Sequence, residues 1–214
     1  MPEFGPIGVK ICGLTEAVGF DACVEHGADW IGFVFFERSP RFVTPQQAAG
    51  LTTRGLGRAS TVGLFVHPSD EDIARVLEHA ALDVLQIYAS EERAHQVAQV
   101  FGLPVWLSFP VAGPQDLPVS CPVQRVLIEP RPPKDATRPG GNAQKLDWSM
   151  LSGWKPVFPW MLAGGLKVDN VAEAVRITGA PAVDVSSGVE SAPGVKDPAL
   201  IASFVRNARQ AGRA

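Results

Sequence analysis

The sequence predicts an α/β fold of one kind, a single (β/α)8 TIM barrel. Three observations carry that expectation: eight short apolar runs recur along the 214 residues, amphipathic stretches separate them, and nothing reads as an antiparallel hairpin. Alternation of this kind requires crossover connections, which are right-handed and leave neighbouring strands parallel. Eight repeats in a chain near the lower size limit for such barrels favour closure. A doubly wound open sheet is the alternative architecture. No linker divides the chain, so one barrel domain is expected over residues 1–214.

The first run is Val9–Cys12. Thr15 is the expected N-cap of a helix reaching His26, with Gly27 where a helix-ending glycine belongs. The runs Trp30–Phe35 and Thr61–Val66 follow. Ser69 then caps a helix whose first turn holds Asp70, Glu71 and Asp72, where the helix dipole favours negative charge. The fourth and fifth runs are Val84–Tyr88 and Pro104–Phe109, and the sixth is Arg125–Ile128. Between the last two, Pro110–Pro122 has room for only a short helix. Pro130–Pro139 reads as a long loop, and loops of that length are often lids. Phe158–Ala163 is the seventh run, followed by a helix over Val168–Thr178 that ends at Gly179. The eighth is Ala182–Ser186, and Asp197–Pro198 opens the last helix with proline in its first turn. The runs are apolar on both faces, as strands covered on both sides must be.

Composition removes several function classes. Hydrophobic residues make up 46% and charged ones 19%, enough apolar material for a core. The net charge of −3 is scattered, without the basic stripe that nucleic acid requires. No apolar run approaches the roughly 18 residues that span a bilayer, and residues Met1–Gly8 do not read as a signal peptide. A cytoplasmic enzyme is the expectation. Cys12, Cys23 and Cys121 are odd in number, which fits a reducing compartment better than a disulfide framework. Neither they nor the dispersed His26, His67, His79 and His95 have metal-ligand spacing.

In such a barrel, chemistry sits at the C-terminal ends of the strands. The first strand ends in Cys12, which is either a small buried hydrophobe or a thiolate that takes a proton or attacks carbon. Cys23 and Cys121 fit the buried reading better. Arg38 and Arg41 flank Ser39-Pro40 after the second strand, where an arginine fork suits a carboxylate or phosphate. Gly164-Gly165 after the seventh strand and Ser186-Ser187-Gly188 after the eighth offer backbone N–H groups in the usual phosphate-binding place of this fold.

Taken together these motifs resemble the phosphoribosylanthranilate isomerase family. The similarity is carried by Val9-Lys10-Ile11-Cys12-Gly13-Leu14-Thr15, Gly27–Phe35, Ser39-Pro40-Arg41-Phe42-Val43, Val62-Gly63-Leu64-Phe65-Val66, Leu162–Leu166 and Val183–Pro198, nearly end to end. The resemblance implies an Amadori rearrangement in tryptophan biosynthesis, an aminoaldose becoming an aminoketose. An acid opens the furanose to a Schiff base, and a base then takes the proton from C2. No metal or organic cofactor is implied, because the Schiff-base nitrogen is the electron sink. Carried over by position, Cys12 matches the general base and Arg41 the arginine that holds the anthranilate carboxylate. Gly164, Gly165, Ser186, Ser187 and Gly188 match the phosphate loops, and Asp184 an acid lining the site.

Departures from the family pattern cluster on strands four and six. Where the family ends strand six in an aspartate, its general acid, this chain has Glu129, with nearly the same intrinsic acidity and about one methylene more reach. Where the family has Gln-Leu-His-Gly, this chain has Gln86-Ile87-Tyr88-Ala89. Tyr88 can donate a hydrogen bond but carries no positive charge near neutral pH, so a substrate-binding contact changes there. Pro139-Gly140-Gly141-Asn142-Ala143 has alanine where the family favours glycine, which stiffens the expected lid. Two other functions fit less well. One is a degenerate barrel that binds a phosphorylated ligand without turnover. The other is the related isomerisation of histidine biosynthesis, whose barrels pair two aspartates and repeat the phosphate loop in both halves. The expected partner is a small phosphorylated sugar–anthranilate, with neither nucleic acid nor membrane involved, and the surface allows a monomer or a homodimer.

Overall fold

In the computed structural model, which describes residues 6–55, 57–133, 135, 139–140 and 145–212, eight parallel strands close into a barrel in chain order. They are β1 Gly8–Cys12, β2 Trp30–Val34, β3 Ser60–Val66, β4 Val84–Tyr88, β5 Val105–Val111, β6 Arg125–Pro130, β7 Trp160–Leu162 and β8 Ala182–Val185. Closure is made by β1 pairing with β8, with Lys10 opposite Asp184. Each strand lies within a residue or two of its apolar run, and β7 begins at Trp160 rather than Phe158.

Helices α1 Ala17–Glu25, α2 Pro45–Thr52, α3 Asp70–Leu77, α4 Glu91–Phe101, α5 Val171–Thr178 and α6 Pro198–Ala211 follow β1, β2, β3, β4, β7 and β8, while among the described residues the connection from β6 to β7 holds only the 3-10 turn Trp148–Leu151. Ser69 caps α3 and Asp197 caps α6, as their spacing predicts. Thr15 does not cap α1. Glu16 holds that position without a side-chain bond, while the Thr15 hydroxyl donates to the Gly194 carbonyl at 2.8 Å, a partner that sequence spacing cannot reveal. Helix α5 starts three residues later than expected, because Asn170 accepts from the Lys167 N–H and forms a turn first. Pro110–Pro122 opens with the end of β5, and its one helical turn is the 3-10 turn Pro114–Asp116. One antiparallel hairpin does occur, correcting the expectation of none: β9 Glu190–Ala192 pairs with β10 Val195–Lys196, too short to show a period. Of the expected lid, residues 134, 136–138 and 141–144 lie outside the described residues.

Strand alternation divides the barrel into two cores, since residues i and i+2 share a face. Ile11, Phe33, Phe65, Ile87, Leu107, Ile128 and Val185 point outward into the helix layer. Val62, Val84, Trp106, Leu127, Met161 and Ala182 form a separate interior cluster that fills the barrel floor. Arg125 lies over the rings of Trp30 and Trp106, at 4.5 and 4.7 Å from their centres, a cation held by π faces at that end. Two residues further along β4, β5, β6 and β8 the composition becomes polar, while β3 continues with Leu64 and β7 is followed by Ala163. Val84 gives way to Gln86 and Tyr88, Trp106 to Ser108, Leu127 to Glu129, and Ala182 to Asp184 and Ser186. A sheet apolar on both faces below therefore carries chemistry at its C-terminal mouth.

Candidate active site

A cleft of about 870 Å³, open mouth included, lies over that polar layer. Cys12, Glu129, Arg41, Tyr88, Asp184, Gly164, Gly165, Ser186 and Ser187 all line it. Gly188 does not. It sits behind the wall, where a Cβ would run into the Leu166 carbonyl, so its missing side chain lets the loops after β7 and β8 meet.

The base and acid candidates stand on opposite sides of the closure. Cys12 ends β1 and is 4% exposed, with Lys10 two residues before it on the same face. Lys10, fully enclosed, donates from Nζ to Asp184 Oδ1 at 2.8 Å. Burial works against the Lys10 charge, but Asp184 and Cys12 outweigh it and hold the ammonium above the usual lysine value. Burial also pushes the Cys12 thiol up, while the Lys10 ammonium beside it pulls the other way. Lys10 is therefore the counter-ion that a Cys12 thiolate needs. A charged residue within an apolar strand run, two positions from a cysteine, was the available signal for it.

Glu129 is the last residue but one of β6 and is 6% exposed. Its Oε2 accepts from the Tyr88 hydroxyl at 2.9 Å, and its Oε1 has no hydrogen-bond partner among the described residues. Burial drives its pKa up to about 8, against the Tyr88 hydrogen bond, which pulls it down. Glu129 is thus a neutral carboxylic acid at pH 7, with a proton to give. Tyr88 itself is pushed well above the usual phenol range by burial and by the neighbouring Glu129.

Arg41 lines the cleft, but its fork is engaged. Nε and Nη2 bind the two oxygens of Glu190 at 2.7 and 2.8 Å. Lys196 Nζ reaches the same carboxylate at 2.7 Å and the Ser186 carbonyl at 3.0 Å. Burial opposes the Glu190 charge, yet its two cations keep the carboxyl below the usual range. Glu190 and Lys196 sit on the unforeseen hairpin and were not singled out from the sequence. They tie Arg41, after β2, to Ser186, after β8.

The remaining walls differ in kind. Gly164 and Gly165 both have positive φ, 90° and 67°, and neither donates its N–H to a backbone group among the described residues. Those groups and the Ser186-Ser187 turn can receive an anion. Val34, Phe36, Leu64 and Val66 form an apolar wall opposite. Among the described residues no cluster of His, Cys, Asp or Glu could hold a metal ion.

A family model described as N-(5'-phosphoribosyl)anthranilate isomerase matches residues 9–207. The N-(5'-phosphoribosyl)anthranilate isomerase of Paracoccus denitrificans is 51% identical over 209 residues, covering 94% of this chain and 97% of that protein. The crystal structure of TrpF from Jonesia denitrificans superposes with a TM-score of 0.80 at 34% identity, covering 96% of this chain and 98% of that one. A phosphoribosyl anthranilate isomerase in complex with reduced 1-(o-carboxyphenylamino)-1-deoxyribulose 5-phosphate gives a TM-score of 0.79 at 29% identity, covering 95% and 99%.

Proposed function

The chain belongs to the N-(5'-phosphoribosyl)anthranilate isomerase family, and we propose that Cys12 and Glu129 are the base and acid with which it works. It is an isomerase of tryptophan biosynthesis, converting N-(5-phosphoribosyl)anthranilate to 1-(2-carboxyphenylamino)-1-deoxyribulose 5-phosphate. Glu129 gives its proton to the furanose ring oxygen as the C1–O bond breaks and the amine lone pair forms the C1=N Schiff base. Cys12 thiolate then takes the C2 proton, the electrons pass into the C1–nitrogen system, and the enolamine tautomerises to the ketone. General acid–base catalysis of this kind is worth about 10²- to 10⁴-fold per group.

The observation that carries the assignment is the pairing of two groups across one cleft, an acid held protonated and a thiol that burial raises but a lysine ammonium pulls back. Glu129 is held protonated by burial, and Cys12 has a buried ammonium beside it. The anion loops at one end and the apolar wall at the other set the binding direction: phosphate on Gly164, Gly165, Ser186 and Ser187, aromatic ring against Val34, Phe36, Leu64 and Val66. Arg41 takes the anthranilate carboxylate with whatever donor capacity Glu190 leaves, and Asp184 holds Lys10. All of these residues come from one chain, so the site is complete in a monomer and would be duplicated in a homodimer. The three cysteines are free, which supports a reducing, cytoplasmic setting.

The test is the fluorescence decay of phosphoribosylanthranilate on adding protein, with Cys12→Ala and Glu129→Gln beside the parent. Both variants should lose turnover by two or more orders of magnitude while the reduced product analogue still binds. Parent-like turnover in either variant removes that residue from its role. Retained ligand binding without turnover in the parent itself would favour the degenerate barrel, for which no feature of the site speaks.

A further inference from the structure

Two of the departures from the family pattern, Tyr88 on β4 and Glu129 on β6, are separated by 41 positions and touch in the structure. A carboxyl with one extra methylene has one extra torsion, and an acid that wanders is a poor catalyst: a misplacement of about 1 Å can cost about 10²-fold. Something must fix the longer side chain. The Tyr88 hydroxyl donates to Oε2 at 2.9 Å, and Oε1 is left without a partner at the cleft wall. One oxygen is thereby assigned to holding, and the other to carrying the proton. Gly140 closes over the pair from the segment after β6. A Cβ built there would collide with the Tyr88 hydroxyl and would stand 3.2 Å from Oε2. Only a residue without a side chain lets the main chain lie against both.

We infer that Tyr88 is a positioning residue for the acid, a matched partner that makes glutamate usable at position 129. Its hydroxyl is spent on Glu129 and not on the substrate. Gly140 is the cover that keeps the pair in register. The inference rests on Glu129 being the acid. It distinguishes a coupled replacement of two groups from two independent losses.

Coupling is what the experiment must read. Tyr88→Phe keeps the ring, and with it the packing against Cys12, Val34 and Leu64, while deleting only the hydroxyl. In the parent it should lower kcat about 10- to 100-fold, the effect expected for loosening a catalytic group, with KM little changed. The same change should cost less than about threefold in a Glu129→Asp background, where the shorter acid does not depend on the tyrosine. It should cost nothing in Glu129→Gln. The rising limb of the kcat/KM–pH profile should also move to higher pH in Tyr88→Phe, because the lost hydrogen bond pulls the Glu129 pKa down. A purely structural role would leave that limb in place. If Glu129→Gln abolishes turnover but Tyr88→Phe acts equally in all backgrounds, or raises KM alone, the positioning role is wrong and the acid assignment stands. If Glu129→Gln turns over normally, the acid assignment itself has failed.

Discussion

Lys10 Nζ and Asp184 Oδ1 lie 2.8 Å apart, the lysine side chain fully enclosed and the aspartate 13% exposed. The pair bridges β1 and β8, so the contact that closes the barrel is also the one that places a positive charge under Cys12. Its two duties can be separated. Lys10→Met should destabilise the fold by about 3–5 kcal/mol, since one partner of an enclosed pair loses its counter-charge. It should also lower kcat/KM at pH 7 at least tenfold, by pushing the Cys12 thiol further up. Adding Asp184→Asn should recover much of the stability, measured by urea denaturation, and none of the rate. If the double variant recovers both, Lys10 acts through folding alone.

The pH profile follows from the tuning of the acid and the base. In the proposed mechanism the productive form carries one proton, on Glu129, with Cys12 ionised. Glu129 titrates near 8 and burial raises the thiol above its ordinary value. The proton to be lost first on raising the pH is thus that of the acid, and the productive form is a minor state of the singly protonated pair. On these values kcat/KM should climb about tenfold per pH unit below pH 8, level off, and fall only above the thiol's own pKa. A rate independent of pH between 6 and 8 would put one of the two groups below pH 6 and so overturn the raised value of Glu129 or of Cys12.

Much of this site was legible because a barrel read strand by strand delivers its C-terminal ends to one place. Cys12, Glu129, Tyr88 and Asp184 each end a strand or lie next to its end, so locating the strand located the residue. The glycines after β7 and β8 follow the same rule. What stayed hidden were pairings between distant segments. Nothing in the order of residues joins Thr15 to Gly194, Arg41 to Glu190 or Tyr88 to Glu129, because each bond is made by side chains that the closed barrel brings together. The hairpin bearing Glu190 and Lys196 escaped for a related reason. Three- and two-residue strands are held by contacts with Arg41 and Ser186, and local propensity says little about them.

Glu129 should also make stability depend on pH. Its carboxyl is raised from an ordinary 4.5 to about 8 by burial, so between those values the folded chain binds a proton that the unfolded chain has lost. Stability from this group is full below pH 4.5, declines as pH rises, and has gone above pH 8. Glu129→Gln cannot ionise and escapes the loss. Measured by urea unfolding, the variant should gain roughly a few kcal/mol on the parent between pH 5 and pH 8.5. Parallel curves for the two proteins would mean that the carboxyl is not held neutral. Acid function and fold stability thus pull apart at this residue, as they do where a catalytic group is kept in an environment that opposes its charge.

Gly188 provides the last test, and it probes the anion end without touching the acid or the base. The glycine lies against the Leu166 carbonyl, with no room for a Cβ between the loops that follow β7 and β8. Gly188→Ala must therefore push Ser186-Ser187 away from Gly164-Gly165 and widen the cradle they form. Weakened grip on a phosphate distant from the reacting carbons should appear mainly in KM, raised about tenfold or more, with a smaller change in kcat. Inhibition by inorganic phosphate should weaken in parallel, because that ion reports the cradle alone. A variant with raised KM but unchanged phosphate inhibition would place the phosphate elsewhere in the cleft. A variant with lowered kcat and unchanged KM would mean that the two loops position the reacting end of the sugar and not its anion.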